Sequence, residues 1–174
     1  AGCAILGGFY YSGETGGLTS AEALANPYVP NVKLYNNDFL KAPYLQNVIT
    51  DQHYLTRTRE GRSVVFLGRI LKDWKIAAKG IAVDERTAVC IDATGKAQIF
   101  GDYSATRPYS YAYFLVADAA KQPEQFIANT KVTWKNADQA VAVYEIAASV
   151  NGGGNFNVTN FSFAEATGGK AYWW

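Results

Sequence analysis

The sequence predicts an α/β domain, a sheet with flanking helices that continues into a β-rich extension, and three patterns carry the prediction. Val64, Val65, Leu67, Ile70 and Leu71 recur at helical spacing within residues 59–74. Short apolar runs of strand length stand on either side of that segment, at 45–50 and 81–84. After Asp102 the helical spacing stops, and strand-length runs at 111–117, 131–134, 140–147 and 156–163 alternate with loops.

In chain order, residues 1–6 are small and apolar and are expected to enter a helix. Residues 7–17 are rich in glycine and read as a loop. Thr19 or Ser20 is placed to cap a helix begun by Ala21-Glu22-Ala23-Leu24-Ala25, after which Pro27, Pro30 and Pro43 limit regular structure. The 45–50 strand delivers Asp51, Gln52 and His53 to its C-terminal end, and the next helix starts near Arg59. Residues 81–84, 88–92 and 97–100 read as successive strands, with Ala93-Thr94-Gly95-Lys96 as a hairpin turn. Asn151-Gly152-Gly153-Gly154-Asn155 is a flexible turn. The expected division is 1–115 for the α/β part and 116–174 for the extension, packed on the same domain.

With 174 residues, 49% of them hydrophobic and 14% aromatic, the chain can bury a sizeable core. A formal net charge of +1 gives it no global attraction for nucleic acid or anionic membranes, and neither partner is expected. Its longest apolar stretches, such as 111–117, are too short to span a bilayer. Cys3 and Cys90 are too few for a disulfide scaffold and lie in no metal-ligand spacing. They read as small buried thiols in core strands, with a disulfide between them as the other reading. The lack of methionine leads us to expect that Ala1 is not the translation start, and that the chain is a processed product or the second piece of something longer. Twelve tyrosines, four tryptophans and 16 glycines lean towards an extracellular or periplasmic protein, the cytoplasm being the alternative.

Residues 51–62 read Asp-Gln-His-Tyr-Leu-Thr-Arg-Thr-Arg-Glu-Gly-Arg and gather the chain's only histidine, a carboxamide, Asp51, and three arginines. An imidazole titrates near neutrality, and beside fixed cations it suits a base that works on a substrate carrying carboxylates. Arg59 and Arg62, three apart, share a helix face, and N–H groups at the helix start would assist carboxylate binding.

This segment resembles the histidine motif of cyanophycinase, a serine peptidase related to the aspartyl dipeptidases. In that motif Asp-Gln-His is followed by an aromatic residue, then by arginines and a Gly-Arg pair at the spacing of Arg57, Arg59, Gly61 and Arg62. Ala1-Gly2-Cys3-Ala4-Ile5-Leu6 resembles the second half of the family's Gly-Thr-Ser-Ala-Gly nucleophile turn. Gly80-Ile81-Ala82-Val83-Asp84-Glu85-Arg86-Thr87-Ala88 resembles its Gly-Ile-Gly-Ile-Asp-Glu-x-Thr-Ala strand, with Ala82 replacing a glycine. The matches cover residues 1–10 and 48–105. Leu55 stands where the family usually has a small polar residue, and the segment between Gly2 and Asp51 is longer than expected; both departures bear on the substrate.

The resemblance implies the C-terminal half of a mostly parallel, class I glutamine amidotransferase-like sheet with flanking helices. It implies a serine exopeptidase that hydrolyses cyanophycin to β-Asp-Arg dipeptides without metal or cofactor. The nucleophile would be a serine just before Ala1, carried with the front half of the domain on a second polypeptide or segment. His53 would be the general base, Glu85 the carboxylate that fixes its tautomer, and the Ala1 N–H an oxyanion donor. Gly2 would keep the turn tight. Asp51, Gln52, Arg57, Arg59 and Arg62 would form the pocket for a β-linked Asp-Arg unit, the arginines on backbone carboxylates and Asp51 on the substrate guanidinium. A homodimer of the assembled protein is a further expectation.

Other readings stand beside this one. The enzyme could act on other aspartyl or isoaspartyl peptides, or the chain could be an inactive binding module with the same fold. Residue by residue, His53 could be a satisfied structural histidine. The arginines could form a solvated helix face paired with Glu60 and Asp73.

Overall fold

The computed structural model describes residues 2–37, 39–102 and 110–174. Its centre is a βαβ unit. Strand β3 (Val48–Gln52) runs parallel to β4 (Lys79–Val83), in register from Val48↔Lys79 to Gln52↔Val83. Helix α2 (Glu60–Arg69), which continues into a π-helical turn over Ile70–Trp74, crosses between them. Parallel neighbours require such a crossover, and the apolar spacing within 59–74 supplies it. Strand β1 (Phe9–Tyr11) lies parallel to β3 but meets it only at Phe9↔Ile49, and β2 (Leu34–Asn36) closes that edge antiparallel to β1.

Beyond β4 the described residues of the connections contain no helix of crossover length, and the pairing turns antiparallel. Strands β7 (Tyr111–Ala117), β8 (Val141–Ala147) and β10 (Gly169–Trp173) follow β4 across the sheet. The order of this seven-stranded sheet is β10-β8-β7-β4-β3-β1-β2. The sheet is therefore mixed, with parallel pairing confined to β1–β3–β4, in place of the mostly parallel sheet expected. The 115/116 division falls inside β7, so the later strands extend the same sheet. A second, three-stranded antiparallel sheet, β5 (Thr87–Ile91), β6 (Lys96–Gly101) and β9 (Asn155–Asn157), covers one face.

Two cores sandwich the main sheet. On the helix side, Phe9, Ile49, Tyr113 and Leu115 pack against Val65, Phe66 and Ile70. On the other side, Ile81, Phe114 and Ile146 meet Ile99 and Phe156 of the second sheet and Phe161 just beyond it, and the Phe114 and Phe156 rings stack 3.9 Å apart. Alternating residues of β7 face opposite cores, which is why that strand is apolar on both sides.

Helix α1 (Ser20–Ala25) begins at Thr19 with a reciprocal capping box: Thr19 Oγ1 accepts from Glu22 N at 3.2 Å, and Glu22 Oε2 accepts from Thr19 N at 2.8 Å. It packs on α2, where Gly61 permits the approach; a Cβ there would lie 2.7 Å from Leu24 Cδ1. The glycine-rich stretch expected to be a loop contains β1. A Cβ on Gly8 would stand 2.1 Å from Gln46 O, so only glycine lets the chain run this close to the segment entering β3. The helix expected at residues 1–6 is a 3₁₀ turn over Cys3–Ile5. The strand expected at 131–134 amounts to one bridge, Gln125↔Thr133, and that expected at 156–163 reduces to β9 followed by a 3₁₀ turn over Phe163–Glu165. No helix among the described residues is long and apolar enough to cross a membrane.

Candidate active site

Parallel strands end at the same edge, and here β3 and β4 end together at Gln52↔Val83. The chain leaves β3 through His53, whose φ of 51° is left-handed. The turn then folds over the end of β4. Tyr54 N donates to Val83 O at 3.2 Å, Arg57 N to His53 O at 3.1 Å and Arg59 N to Tyr54 O at 2.9 Å. The Tyr54 side chain is fully buried, its ring 4.9 Å from that of Tyr113, and its hydroxyl finds no partner among the described residues. β4 turns at the same edge through Glu85 and Arg86, the latter left-handed at φ 58°.

These two turns bring His53 and Glu85 together. His53 Nδ1 lies 2.8 Å from Glu85 Oε1, with side chains 35% and 50% exposed. A carboxylate can only accept, so the Nδ1 proton faces Glu85 and Nε2 is left as the basic nitrogen. That arrangement is what a general base and its orienting carboxylate require.

Asp51, two residues earlier, is in different surroundings. Its carboxylate takes both Nε (2.9 Å) and Nη2 of Arg62, and accepts from Ser63 Oγ at 3.3 Å and Gln52 N at 2.8 Å. Arg59 Nη1 adds a 3.5 Å contact to Asp51 and donates to Gln52 O at 2.6 Å. Arg62 also reaches Leu18 O at 3.3 Å and lies over the Tyr11 ring, 5.2 Å from its centroid. Asp51 and Arg62 are thus a buried, mutually satisfied pair. Asp51 faces the protein's own guanidinium, where a substrate guanidinium was expected, and at the helix start the Arg62 amide donates to Ser20 Oγ at 3.1 Å. Burial, with Arg62 alongside, lowers the Arg59 guanidinium from its ordinary value, although Asp51 opposes the shift.

Above this pair lies a cavity of about 760 Å³, lined among others by Tyr11, Glu22, Gln52, Arg57, Arg59 and Arg62. The Arg57 guanidinium carries no ion pair among the described residues, and the buried Gln52 Oε1 has no hydrogen-bond partner among them. Asp73, one of the partners expected for a solvated arginine face, is paired with Arg69 at 2.6 Å. The cavity wall ends at Gln52, one residue short of His53.

The structure thus brings His53 to Glu85 and sets Arg57, Arg59 and Arg62 along one cavity, whose wall also includes Tyr11 and Glu22, residues the sequence did not mark as part of a site. Glu22 is marked only by its capping box. Ala1 lies outside the described residues, so its N–H is not placed. Gly2 is right-handed (φ −56°), and a Cβ on it would meet nothing within 4 Å. Cys3 Sγ donates to Asp51 O at 3.6 Å, and burial, then Asp51, pushes its thiol up to about 11, which leaves it unsuited as a nucleophile at neutral pH. Cys3 is half-buried and Cys90 exposed, and both are free thiols. Among the described residues, no three His, Cys, Asp or Glu side chains gather to hold a metal ion. A scan against models of known protein families finds no match, and no curated protein matches the chain.

Proposed function

We propose that this chain forms the base-bearing part of a serine exopeptidase that releases β-Asp-Arg dipeptides from cyanophycin. The observation that carries this reading is the 2.8 Å contact of His53 Nδ1 with Glu85 Oε1 at the ends of adjacent parallel strands, beside a cavity lined by three arginines. The nucleophile is a serine just before Ala1, with the front half of the domain supplied by another chain or segment. His53 Nε2 takes the serine proton as Oγ bonds to the scissile carbonyl carbon, and the Ala1 N–H stabilises the oxyanion. The imidazolium returns the proton to the leaving amine as the C–N bond breaks. Water, deprotonated by the same nitrogen, then cleaves the acyl-enzyme and regenerates the serine. Glu85 holds the productive tautomer throughout. Arg57 and Arg59 hold substrate carboxylates, Gln52 accepts a substrate N–H, and the Asp51–Arg62 pair gives them a rigid floor. The protein acts outside the cytoplasm.

The test is release of β-Asp-Arg from insoluble cyanophycin by the complete protein. Arg57→Lys and Arg59→Lys should each lower release about tenfold, because lysine keeps the charge and loses the two-pronged geometry. Hydrolysis of isoaspartyl dipeptides without attack on the polymer would assign the chain to a related peptidase. Tight polymer binding without product would make it an inactive binding module.

A further inference from the structure

His53 and Glu85 are both partly exposed and rest on turns that contain left-handed residues, His53 itself and Arg86. Such a conformation is unfavourable for an L-residue. A partly exposed ion pair contributes little to stability, so the contact between the two side chains does not hold both turns in place by itself. Something beneath them must.

We infer that Asp84 is the positioning residue of the His53–Glu85 pair. The inference rests on the reading of His53 as a base only for its effect on turnover; the geometry stands independently. Asp84 immediately precedes Glu85 and is 3% exposed. Its Oδ1 accepts from Leu55 N at 2.8 Å, inside the turn that carries His53. Its Oδ2 accepts from Tyr113 O–H at 3.2 Å and Tyr111 N at 3.3 Å, both on β7. One carboxylate therefore ties the histidine turn, the root of the glutamate turn and the neighbouring strand together. Tyr113 also packs on the Tyr54 ring, so the residue following His53 is held by the same tyrosine that donates to Asp84. Burial, then the adjacent Asp84, keeps the Tyr113 hydroxyl protonated and hence a donor. Burial, with Glu145 adding to it, raises the Asp84 carboxyl above its ordinary value, and the donors from Leu55, Tyr113 and Tyr111 offset only part of that rise.

The experiment is ¹⁵N NMR of the His53 imidazole in the complete protein, its resonances assigned by their loss in His53→Gln, with Glu85→Gln as the benchmark. Glu85→Gln should remove the Nδ1–H tautomer signature. Asp84→Asn presents an amide N–H₂ to the donors of β7; it should remove at least half as much of that signature, and lower kcat about 10- to 100-fold with little change in KM. Tyr113→Phe deletes one donor and leaves the backbone bonds in place, so it should give a smaller change in the same direction; it carries the test if Asp84→Asn does not fold. A folded Asp84→Asn or Tyr113→Phe protein with the parent tautomer signature would overturn the inference, however much its melting temperature fell. A parent protein whose signature is insensitive to Glu85→Gln would overturn it too, since no pair would exist to position. If the signature moves as expected in a protein with no peptidase activity, Asp84 positions the pair and only the peptidase reading falls.

Discussion

Asp51 and His53 stand two residues apart at the end of one strand, yet they carry opposite kinds of polar chemistry. The Asp51 side chain is 7% exposed and takes donors from Arg62, Ser63, Arg59 and the Gln52 amide. The His53 side chain is 35% exposed and keeps one carboxylate contact. A buried charge has to be satisfied by the protein, and once it is, no capacity remains for a ligand. An exposed imidazole held at one nitrogen keeps the other for chemistry. The step from β3 into the turn is what divides a carboxylate satisfied within the fold from an imidazole left partly exposed at its edge.

The comparison breaks most readily at Asp51. Removing it in Asp51→Ala strands Arg62 without its partner, and urea unfolding should show a loss of about 3–5 kcal/mol. A loss under about 1 kcal/mol would mean that the buried pair does not hold this edge. His53→Asn should do the reverse, since asparagine tolerates the left-handed backbone. Its stability should change by less than about 1 kcal/mol, while turnover by the complete protein falls by about 10²-fold or more. A fully active, folded His53→Asn variant would end the peptidase reading. The smallest effect is expected at the cavity rim. The Thr19 amide, then the Thr19 hydroxyl, hold the Glu22 carboxyl below its ordinary value of 4.5. A depressed carboxylate stabilises the fold above its ordinary pKa and loses that contribution as pH falls through the folded value. Protection of the α1 amides against hydrogen exchange should therefore drop on acidification below about pH 4.5. Glu22→Gln, which caps without titrating, should remove the step.

How much of this was legible depends on the range of the cause. The Thr19 capping box and the spacing of Val65, Ile70 and Leu71 are local, and both helices formed where those signals lie. Strands β1 and β10 were not legible. Phe9–Tyr11 is three residues between glycines, and Gly169–Trp173 is mostly exposed, so neither bears a strand pattern of its own. Their pairing comes from neighbours, β10 by lying along β8 from Gly169↔Ile146 to Trp173↔Ala142. The opposite error occurred at 131–134, where Val132 and Trp134 are buried but the segment is held by a bridge and by the Trp134 indole donating to Lys121 O at 2.7 Å. An apolar run reports burial, and burial alone does not specify a strand.

The sequence by itself determined which chemical groups this protein brings to the candidate site: the His53 imidazole, three arginines, the Gln52 carboxamide and the carboxylates of Asp51 and Glu85. Those are matters of composition and short spacing. Only the tertiary structure decided which of them face inward. The parallel register that sets Gln52 opposite Val83 brings His53 to Glu85, 32 residues away, and the burial of β3 against α2 turns Asp51 onto Arg62. Burial and cross-strand register are properties of the packed sheet, so a residue's neighbours in sequence cannot reveal whether its charge is to be satisfied within the fold or left at its edge.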